Sequence, residues 1–493
     1  MALAPELVRR SLDAHSAIGL VVGVLMYLIC LTGSLAAMAE LFERWEQPGI
    51  PEFNQVSAAA VENAMTGFRA SVDADPESLW VIFPTAELPR MHVSSGAEER
   101  FTDAAGKLLA PPAAGWTHML RELHISLHLP HNIGLVIVSA IGAMLLALIV
   151  SGLLAHPRLF RDAFKLRLGG TRRLEQADIH NRLSVWGLPF HLMIGVTGAF
   201  YGLVGLLAWS AATAWYDGDT NALFDSIYGS DPVLEAPLQP LGIDRALAEL
   251  ERHHPEVQAL YIVGHKLDTP GQFLEIAATV PGRLAYSEIY RFDAAGSYLG
   301  SQQLTTGPAG RQFLYSLYRI HFGYFGGLAT RVTWLLLGLG LTVVAVSGIN
   351  IWLARRGRDD ALDRAWAGVV WGAPLALALS ATAAIVFALA PLPVFAGVLA
   401  AAIGGGLSRR QTRHYRGALQ WLLAASLLLL AGAHTLAYSP AAQRFDITAI
   451  NLALAAAGLW SGWMAWRQRP QAPSTATAPE VSGAARASPG SHL

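Results

Sequence analysis

Imidazole side chains bind transition metals and carry protons near neutral pH, and four of this chain's 16 histidines fall into a repeated pattern. Residues 117–158 read THMLRELHISLHLPHNIGLVIVSAIGAMLLALIVSGLLAHPR, placing His118, His124, His128 and His131 just before an apolar run from Ile133 to Ala155. That run is long enough to cross a bilayer, so these histidines sit at one membrane face. Residues 317–356, LYRIHFGYFGGLATRVTWLLLGLGLTVVAVSGINIWLARR, repeat the arrangement of histidine, apolar span, Ser-Gly and basic residues. His124 stands 28 residues before Gly152 and His321 stands 27 before Gly348. At the other face, DAHSAIGLVVGVLMYLICLTG (13–33) and DIHNRLSVWGLPFHLMIGVTG (178–198) share Asp, His, Thr and Gly at identical offsets, with His15 and His180 each 18 residues before the final glycine. The four histidines divide into two pairs, His15 with His180 and His124 with His321, and pseudo-twofold packing could bring each pair together.

The elements that must position them are membrane spans. With 493 residues, 53% hydrophobic and 14% charged, the chain is too apolar for an ordinary soluble protein. A net charge of −1, with basic residues only in short clusters, excludes a nucleic-acid surface. The single cysteine, Cys30, excludes a disulfide framework, a thiolate zinc site and a c-type haem attachment, so any haem would be held without covalent bonds. Apolar segments are expected at about 17–39, 133–155, 185–209, 329–353, 370–390, 392–407, 418–438 and 446–466, which makes about eight, the segment 392–407 being short. The first follows Arg9 and Arg10 and is read as a retained signal anchor. Connection 156–184 holds seven Lys or Arg, and 354–369 and 408–417 hold four each. The positive-inside rule then places both termini in the cytoplasm and the long loops 40–132 and 210–328 in the periplasm.

Each long loop reads as a small α/β module. In the first, a helix (VSAAAVENAMTGFRASV) precedes strands LWVIFP, RMHVSS and ERFTDAAGKLL. The second has a helix (PLGIDRALAELERHHP) before ALYIVGH, FLEIAATV and EIYRFDAAGSYLGSQQ. An Asp-Ala-Ala-Gly turn recurs at the same place in both. The expected architecture is a duplicated helix–module–helix unit, followed by a C-terminal bundle of about four spans (370–467) and, from Pro470, an Ala/Pro/Ser-rich tail read as disordered.

The Asp-x-His-x(16)-Thr-Gly pattern of spans one and three, Leu123-His124 and Ile320-His321 before spans two and four, and Ser-Gly followed by Arg near the ends of those spans resemble the PepSY-associated transmembrane family over about residues 8–358. The exported modules look like PepSY domains. The resemblance implies an inner-membrane ferric-siderophore reductase with two b-type haems, His15, His124, His180 and His321 being candidate ligands. It implies a quinol or a cytoplasmic reductase as electron donor. Residues 370–467 lie outside that family pattern, and no flavin or nicotinamide domain is fused on the cytoplasmic side.

The chemistry is intelligible on its own terms. Haem iron in electron transfer takes two axial ligands that hold its coordination nearly constant between redox states, and imidazole suits both. Gly19, Gly23, Gly142, Gly338 and Gly340 leave room for a flat ring or close helix contact. Two haems near opposite faces would carry electrons across the low-dielectric core to a metal outside. His191 follows His180 by 11 residues; on one continuous helix that is about 20° around and about 16 Å along, making it a further candidate ligand opposite His434 or His128. His128, His131 and Glu122 are candidate substrate or iron contacts, and His156 a headgroup contact. His92, His253, His254, His265, His414 and His492 read as solvated loop or tail residues, and Trp116, Trp209, Trp215, Trp334 and Trp352 as an interfacial belt. Two other function classes stay open: a membrane-anchored sensor without redox activity, and a permease using the extra C-terminal spans.

Overall fold

The computed structural model describes residues 4–72, 77–156, 160, 161, 163, 164, 171–409, 411–439 and 444–468. Three of the seven basic residues counted in 156–184 (Arg158, Lys165, Arg167), and the tail from Pro470, lie outside them. Along the chain run α1 (Pro5–Ala36), α2 (Ala39–Glu46), α3 (Ala58–Arg69), β1 (Ser78–Ile82), β2 (His92–Ser94), β3 (Glu99–Phe101), α4 (Gly115–Ile125) and α5 (His131–Ala155). The second half of the duplication holds α6 (Arg172–Trp186), α7 (Leu188–Trp215), α8 (Thr220–Tyr228), α9 (Ile243–His253), β4 (Gln258–His265), β5 (Phe273–Thr279), β6 (Glu288–Asp293), β7 (Tyr298–Ser301), α10 (Ala309–Phe322) and α11 (Gly327–Arg356). The C-terminal bundle is α12 (Ala361–Phe387), α13 (Pro391–Leu407), α14 (Thr412–Ala437) and α15 (Phe445–Arg467).

Among the described residues, seven helices are long and apolar enough to cross a membrane: α1, α5, α7, α11, α12, α14 and α15. The eighth expected span, α13, has 17 residues, at the lower limit for a crossing. The protein is a multi-pass membrane protein.

The third span differs from its expected form. In place of a helix continuous with the His180 segment, the chain breaks at Gly187, and α7 begins with Pro189 in its first turn. Proline lacks the N–H that a continuing helix would use, and its ring clashes with the preceding turn. The aligned stretch of α1, Val22-Gly23-Val24, has no proline and stays helical.

The loops also depart from two separate modules. Their strands form one seven-stranded antiparallel sheet in the order β3-β2-β1-β4-β5-β6-β7. The seam is β1 against β4, with Ser78 opposite His265 and Ile82 opposite Tyr261. Three short strands and one helix would leave β1 as a bare edge, and pairing it with β4 removes that edge. One face is shared: Val61 and Phe68 of α3 and Ala246 and Leu250 of α9 pack on Leu79, Val81, Ile262, Leu274 and Ile276 in a single core. Both Asp-Ala-Ala-Gly turns form. Asp103 Oδ1 accepts from the backbone N–H of Ala105 and Lys107 at 2.9 Å, and Asp293 Oδ1 accepts from Ser297 at 2.8 Å. Gly106 (φ 83°) and Gly296 (φ 79°) close them, and a Cβ on Gly106 would stand 2.0 Å from the Ala60 carbonyl oxygen.

The C-terminal bundle braces this half of the molecule. His434 is fully buried, stacked on Trp45 at 4.4 Å. Its Nε2 donates to the Trp45 carbonyl oxygen (2.8 Å), and its Nδ1 accepts from Asn451 (3.2 Å), whose oxygen takes the Trp45 indole N–H (2.8 Å). Every polar atom in that triangle is satisfied. Trp116 and Trp334, expected in an interfacial belt, donate to Leu377 and to the Ile320 and His321 carbonyls.

His92 and His265 are strand residues with carboxylate partners, Glu99 at 3.1 Å and Glu275 at 3.1 Å. Burial holds the His92 imidazole down, at about 4. A histidine neutral in the fold and titrating normally when unfolded makes the unfolded chain bind more protons between those values, so stability falls as pH drops from about 6.5 toward 4. Acidification from pH 7 to 5 is expected to destabilise the β1–β3 half of the sheet by roughly 2 kcal/mol. Hydrogen exchange of those amides should show it, and His92→Gln should flatten the dependence.

Candidate functional site

The repeated histidines meet as two pairs, one toward each end of the bundle. His15 on α1 and His180 on α6 have ring centres 6.1 Å apart with planes at 84°. His124 on α4 and His321 on α10 stand 6.3 Å apart with planes at 29°. His124 and His321, the outer pair in the sense of the sheet-bearing side, lie on short helices that precede the spans. The turn between α4 and α5 has Leu127 and His128 at positive φ, and α10 ends at left-handed Gly323 (φ 74°), packed on Trp334.

Each ring is held the same way. His15 Nδ1 lies 3.0 Å from the Leu148 carbonyl oxygen and 3.2 Å from Ser151 Oγ. His180 Nδ1 lies 3.0 Å from the Val344 carbonyl oxygen and 3.2 Å from Ser347 Oγ, the repeat equivalents. His124 Nδ1 lies 3.0 Å from the Ile29 carbonyl oxygen. A carbonyl only accepts, so these Nδ1 atoms carry the proton. His321 Nδ1 lies 2.8 Å from Thr197 Oγ1, whose own hydrogen goes to the Met193 carbonyl at 2.7 Å; this ring nitrogen is therefore also the donor. In all four, Nε2 keeps its lone pair, and no hydrogen-bond partner among the described residues reaches it. Donation from the far nitrogen fixes the tautomer and raises ligand basicity, as at metal-bound imidazoles.

The Thr-Gly and Ser-Gly motifs are the seats of these rings. A Cβ on Gly33 would lie 2.4 Å from His124 Cε1, one on Gly152 3.3 Å from His15, one on Gly348 3.4 Å from His180, and one on Gly198 3.5 Å from His321. Sequence reading marked these glycines as signs of duplication and missed their purpose. Gly23, Gly142 and Gly338 serve close helix contact, meeting Ile349, Ala199 and Ser34.

Each pair opens on a cavity. The inner one, about 300 Å³, is lined by His15 and His180 with His156, His191, Asn181 and Arg355 at its polar edge. The outer one, about 180 Å³, is lined by His124 and His321 with Tyr201, Trp334 and apolar side chains. Met26, Leu145 and Leu341 line both, so the cavities are stacked with one apolar layer between them. Two metal–imidazole bonds of about 2.0 Å, plus roughly 1 Å from each nitrogen to its ring centre, place such centres about 6 Å apart. Both pairs have that separation.

The remaining candidates fall elsewhere. His191 lines the inner cavity, but the break at Gly187 removes the helical phase assumed from His180, and its ring lies back against Gly187. His128 is turned onto α4, its Nε2 3.0 Å from the Met119 carbonyl oxygen. Glu122 accepts from Ser126 at 2.8 Å, and His131 is exposed at the start of α5. None of these three lines either cavity. Sequence reading missed Arg331, which is 2% exposed near the outer pair. It donates to Glu40 at 2.7 Å and lies over the Tyr324 ring at 4.8 Å, tying α2 to the start of α11.

The glycine seats differ in tolerance. Gly33→Ala is expected to push His124 off Ile29 and destabilise the protein by about 1–3 kcal/mol, whereas Gly348→Ala, with nearly a full van der Waals gap, should cost less; thermal unfolding of the two variants in one detergent checks the order.

Residues 12–355 match the PepSY-associated TM region family. The chain is also similar to an uncharacterized protein of Pseudomonas aeruginosa, 32% identical in an alignment of 252 residues that covers 48% of this chain and 63% of that relative. The chain thus spans less than two thirds of the length of the curated relative it matches. With 344 of its 493 residues inside the family's match, histidine seats included, this chain belongs to the PepSY-associated TM region family.

Proposed function

We propose that this protein is an inner-membrane electron-transfer protein that holds two non-covalent b-type haems, one between His15 and His180 and one between His124 and His321, and reduces a ferric siderophore on the sheet-bearing side. The observation that carries the reading is the pair geometry: two sets of Nδ1-anchored imidazoles, each with free Nε2 atoms and iron-spanning separation, on stacked cavities. Each pair offers two donors. A structural zinc site wants four protein ligands, but haem iron needs only two, because its macrocycle supplies the rest.

Bound there, the two haems supply one-electron chemistry. The chain's part is to fix all four imidazoles from behind through Leu148, Ile29, Val344 and Thr197, and to keep only Met26, Leu145 and Leu341 between the sites. His156, Asn181 and Arg355 give the inner site a polar edge suited to carboxylates. By the positive-inside rule the basic connections support cytoplasmic termini and a periplasmic sheet, and on that reading electrons enter at the His15 end from a quinol or a cytoplasmic reductase. A ferric siderophore is too polar for the bilayer, and reduction at the membrane edge frees its iron because Fe(II) is held far less tightly by hard oxygen donors. The permease reading gains nothing from the C-terminal bundle, where His434 is fully hydrogen-bonded.

Purified protein should be red and give two b-type haems per chain by pyridine haemochrome. His321→Ala or His124→Ala should lose or spin-convert one haem and leave the other. Chemically reduced protein mixed with ferric siderophores should reoxidise as Fe(II) appears in a capture assay. A colourless protein after expression with ample haem would favour the sensor reading. Reduced haems that persist with every ferric chelate but react with quinone would make it an electron carrier for another acceptor.

A further inference from the structure

The two faces of the sheet differ. On the face under α3 and α9, Leu79, Val81, Ile262, Leu274 and Ile276 are fully buried. On the opposite face, Trp80, Ile82 and Tyr261 are only half-buried, and Trp80 is followed across the strands by Val263, Glu275 and Arg291. Beside Tyr261 on this face, α10 and the loop between β5 and β6 come together. There the Tyr286 N–H bonds the Tyr315 carbonyl (3.1 Å), Tyr315 meets Tyr228 (6.1 Å), and Tyr286 meets Tyr318 edge-on (4.8 Å). Tyr261, from the sheet, is within electrostatic reach of Tyr286, Tyr315 and Glu275, and burial raises its phenol above the usual range.

The tyrosines lead directly to the outer histidine pair. Tyr318 contacts Phe322 at 4.7 Å, Phe322 contacts His321 at 5.2 Å, and Tyr201 contacts His321 at 5.6 Å. Among the described residues the tyrosine hydroxyls that donate are those of Tyr27, Tyr216, Tyr324 and Tyr415. Those of Tyr261, Tyr286 and Tyr318 have no such partner, although their rings are packed. The charged groups nearby are already matched, Glu275 with Arg291 at 2.8 Å and with His265 at 3.1 Å. Packed rings with unspent hydroxyls, in charge-balanced surroundings, make an amphipathic binding surface with little entropy left to lose.

Resting on the electron-transfer reading, we propose that the tyrosine-lined surface where α10, the β5–β6 loop and Tyr261 of the sheet come together, with Tyr261, Tyr286 and Tyr318 as its contacts, is where the ferric chelate docks. Flat conjugated donor groups of the hydroxamate or catecholate kind stack on these rings, and their oxygens accept the free hydroxyls. A chelate held there is joined to His321 by the unbroken ring contacts of Tyr318 and Phe322. Docking and delivery of the electron then use one element, α10. His128, His131 and Glu122 take no part.

The test separates binding from redox chemistry by using gallium(III), which is not reduced. Full-length protein in detergent is titrated calorimetrically with the gallium(III) complexes of a trihydroxamate and of a triscatecholate. At least one is expected to bind. Tyr286→Leu and Tyr318→Leu should each weaken it by about tenfold or more, and Tyr286→Phe and Tyr318→Phe should fall between, with the visible spectrum of the protein unchanged throughout. Binding of neither complex, or equal affinity in the leucine variants, overturns the proposal. Tyrosine-dependent binding by a protein without haem would keep the docking surface and sink the electron-transfer reading. Ferric chelates that oxidise the reduced leucine variants as fast as the wild type would keep that reading and sink the docking surface.

Discussion

The rest of the structure depends on a histidine ring pinned from behind. Each of the four imidazoles gives its Nδ1 proton to a helix other than its own and lies against a glycine that leaves no side chain in the way. The acceptors at 3.0 Å are backbone carbonyls in three cases, and in each a hydroxyl three residues further along the same helix donates to that carbonyl as well, Ser151 to Leu148, Thr32 to Ile29 and Ser347 to Val344. Thr197 shows how the duplication tolerates change. It stands where the first repeat has Thr32, and it accepts from His321 directly, whereas Thr32 leaves that role to the Ile29 carbonyl. The functional geometry is conserved between the halves although the acceptor is not.

The two sites are therefore alike in construction and different in surroundings. The inner cavity is larger and has His156, Asn181 and Arg355 at its edge, while the outer one is nearly all apolar. The ring planes differ as well, near-perpendicular inside and closer to parallel outside. The break at Gly187 is one source of asymmetry, because it lets α6 lean on α11 while α7 packs on α5. The joined sheet and the C-terminal bundle act on the outer side, where Arg331, Glu40 and Tyr324 tie α2 to the start of α11.

Much of this was legible in the chain because duplication prints the same constraint twice. The offsets of His15 and His180 from Thr-Gly, and of His124 and His321 from Ser-Gly, mark the four residues that come together. Strands, modules' helices and both Asp-Ala-Ala-Gly turns were readable from alternation and turn chemistry. What failed was long-range or proline-driven. Nothing local in SLWVI announces that β1 will pair with β4 rather than end its own module. Pro189 carried the break but was passed over inside an apolar run. His128 looked like part of the site from its proximity to His124, yet its ring is spent on Met119. His92 and His265 looked solvated, and only the strand pairing reveals their carboxylate partners.

The orientation of the rings offers the most direct test of the central claim, since bis-imidazole ferric haems report the angle between their ligand planes in their electron paramagnetic resonance. With ligand planes at 84° and 29°, the oxidised protein should show two low-spin ferric signals, a highly anisotropic one from the His15–His180 site and a rhombic one from the His124–His321 site. His15→Ala should remove only the first and His321→Ala only the second. A protein without haem signals, or one whose signals are indifferent to all four histidines, would contradict the account.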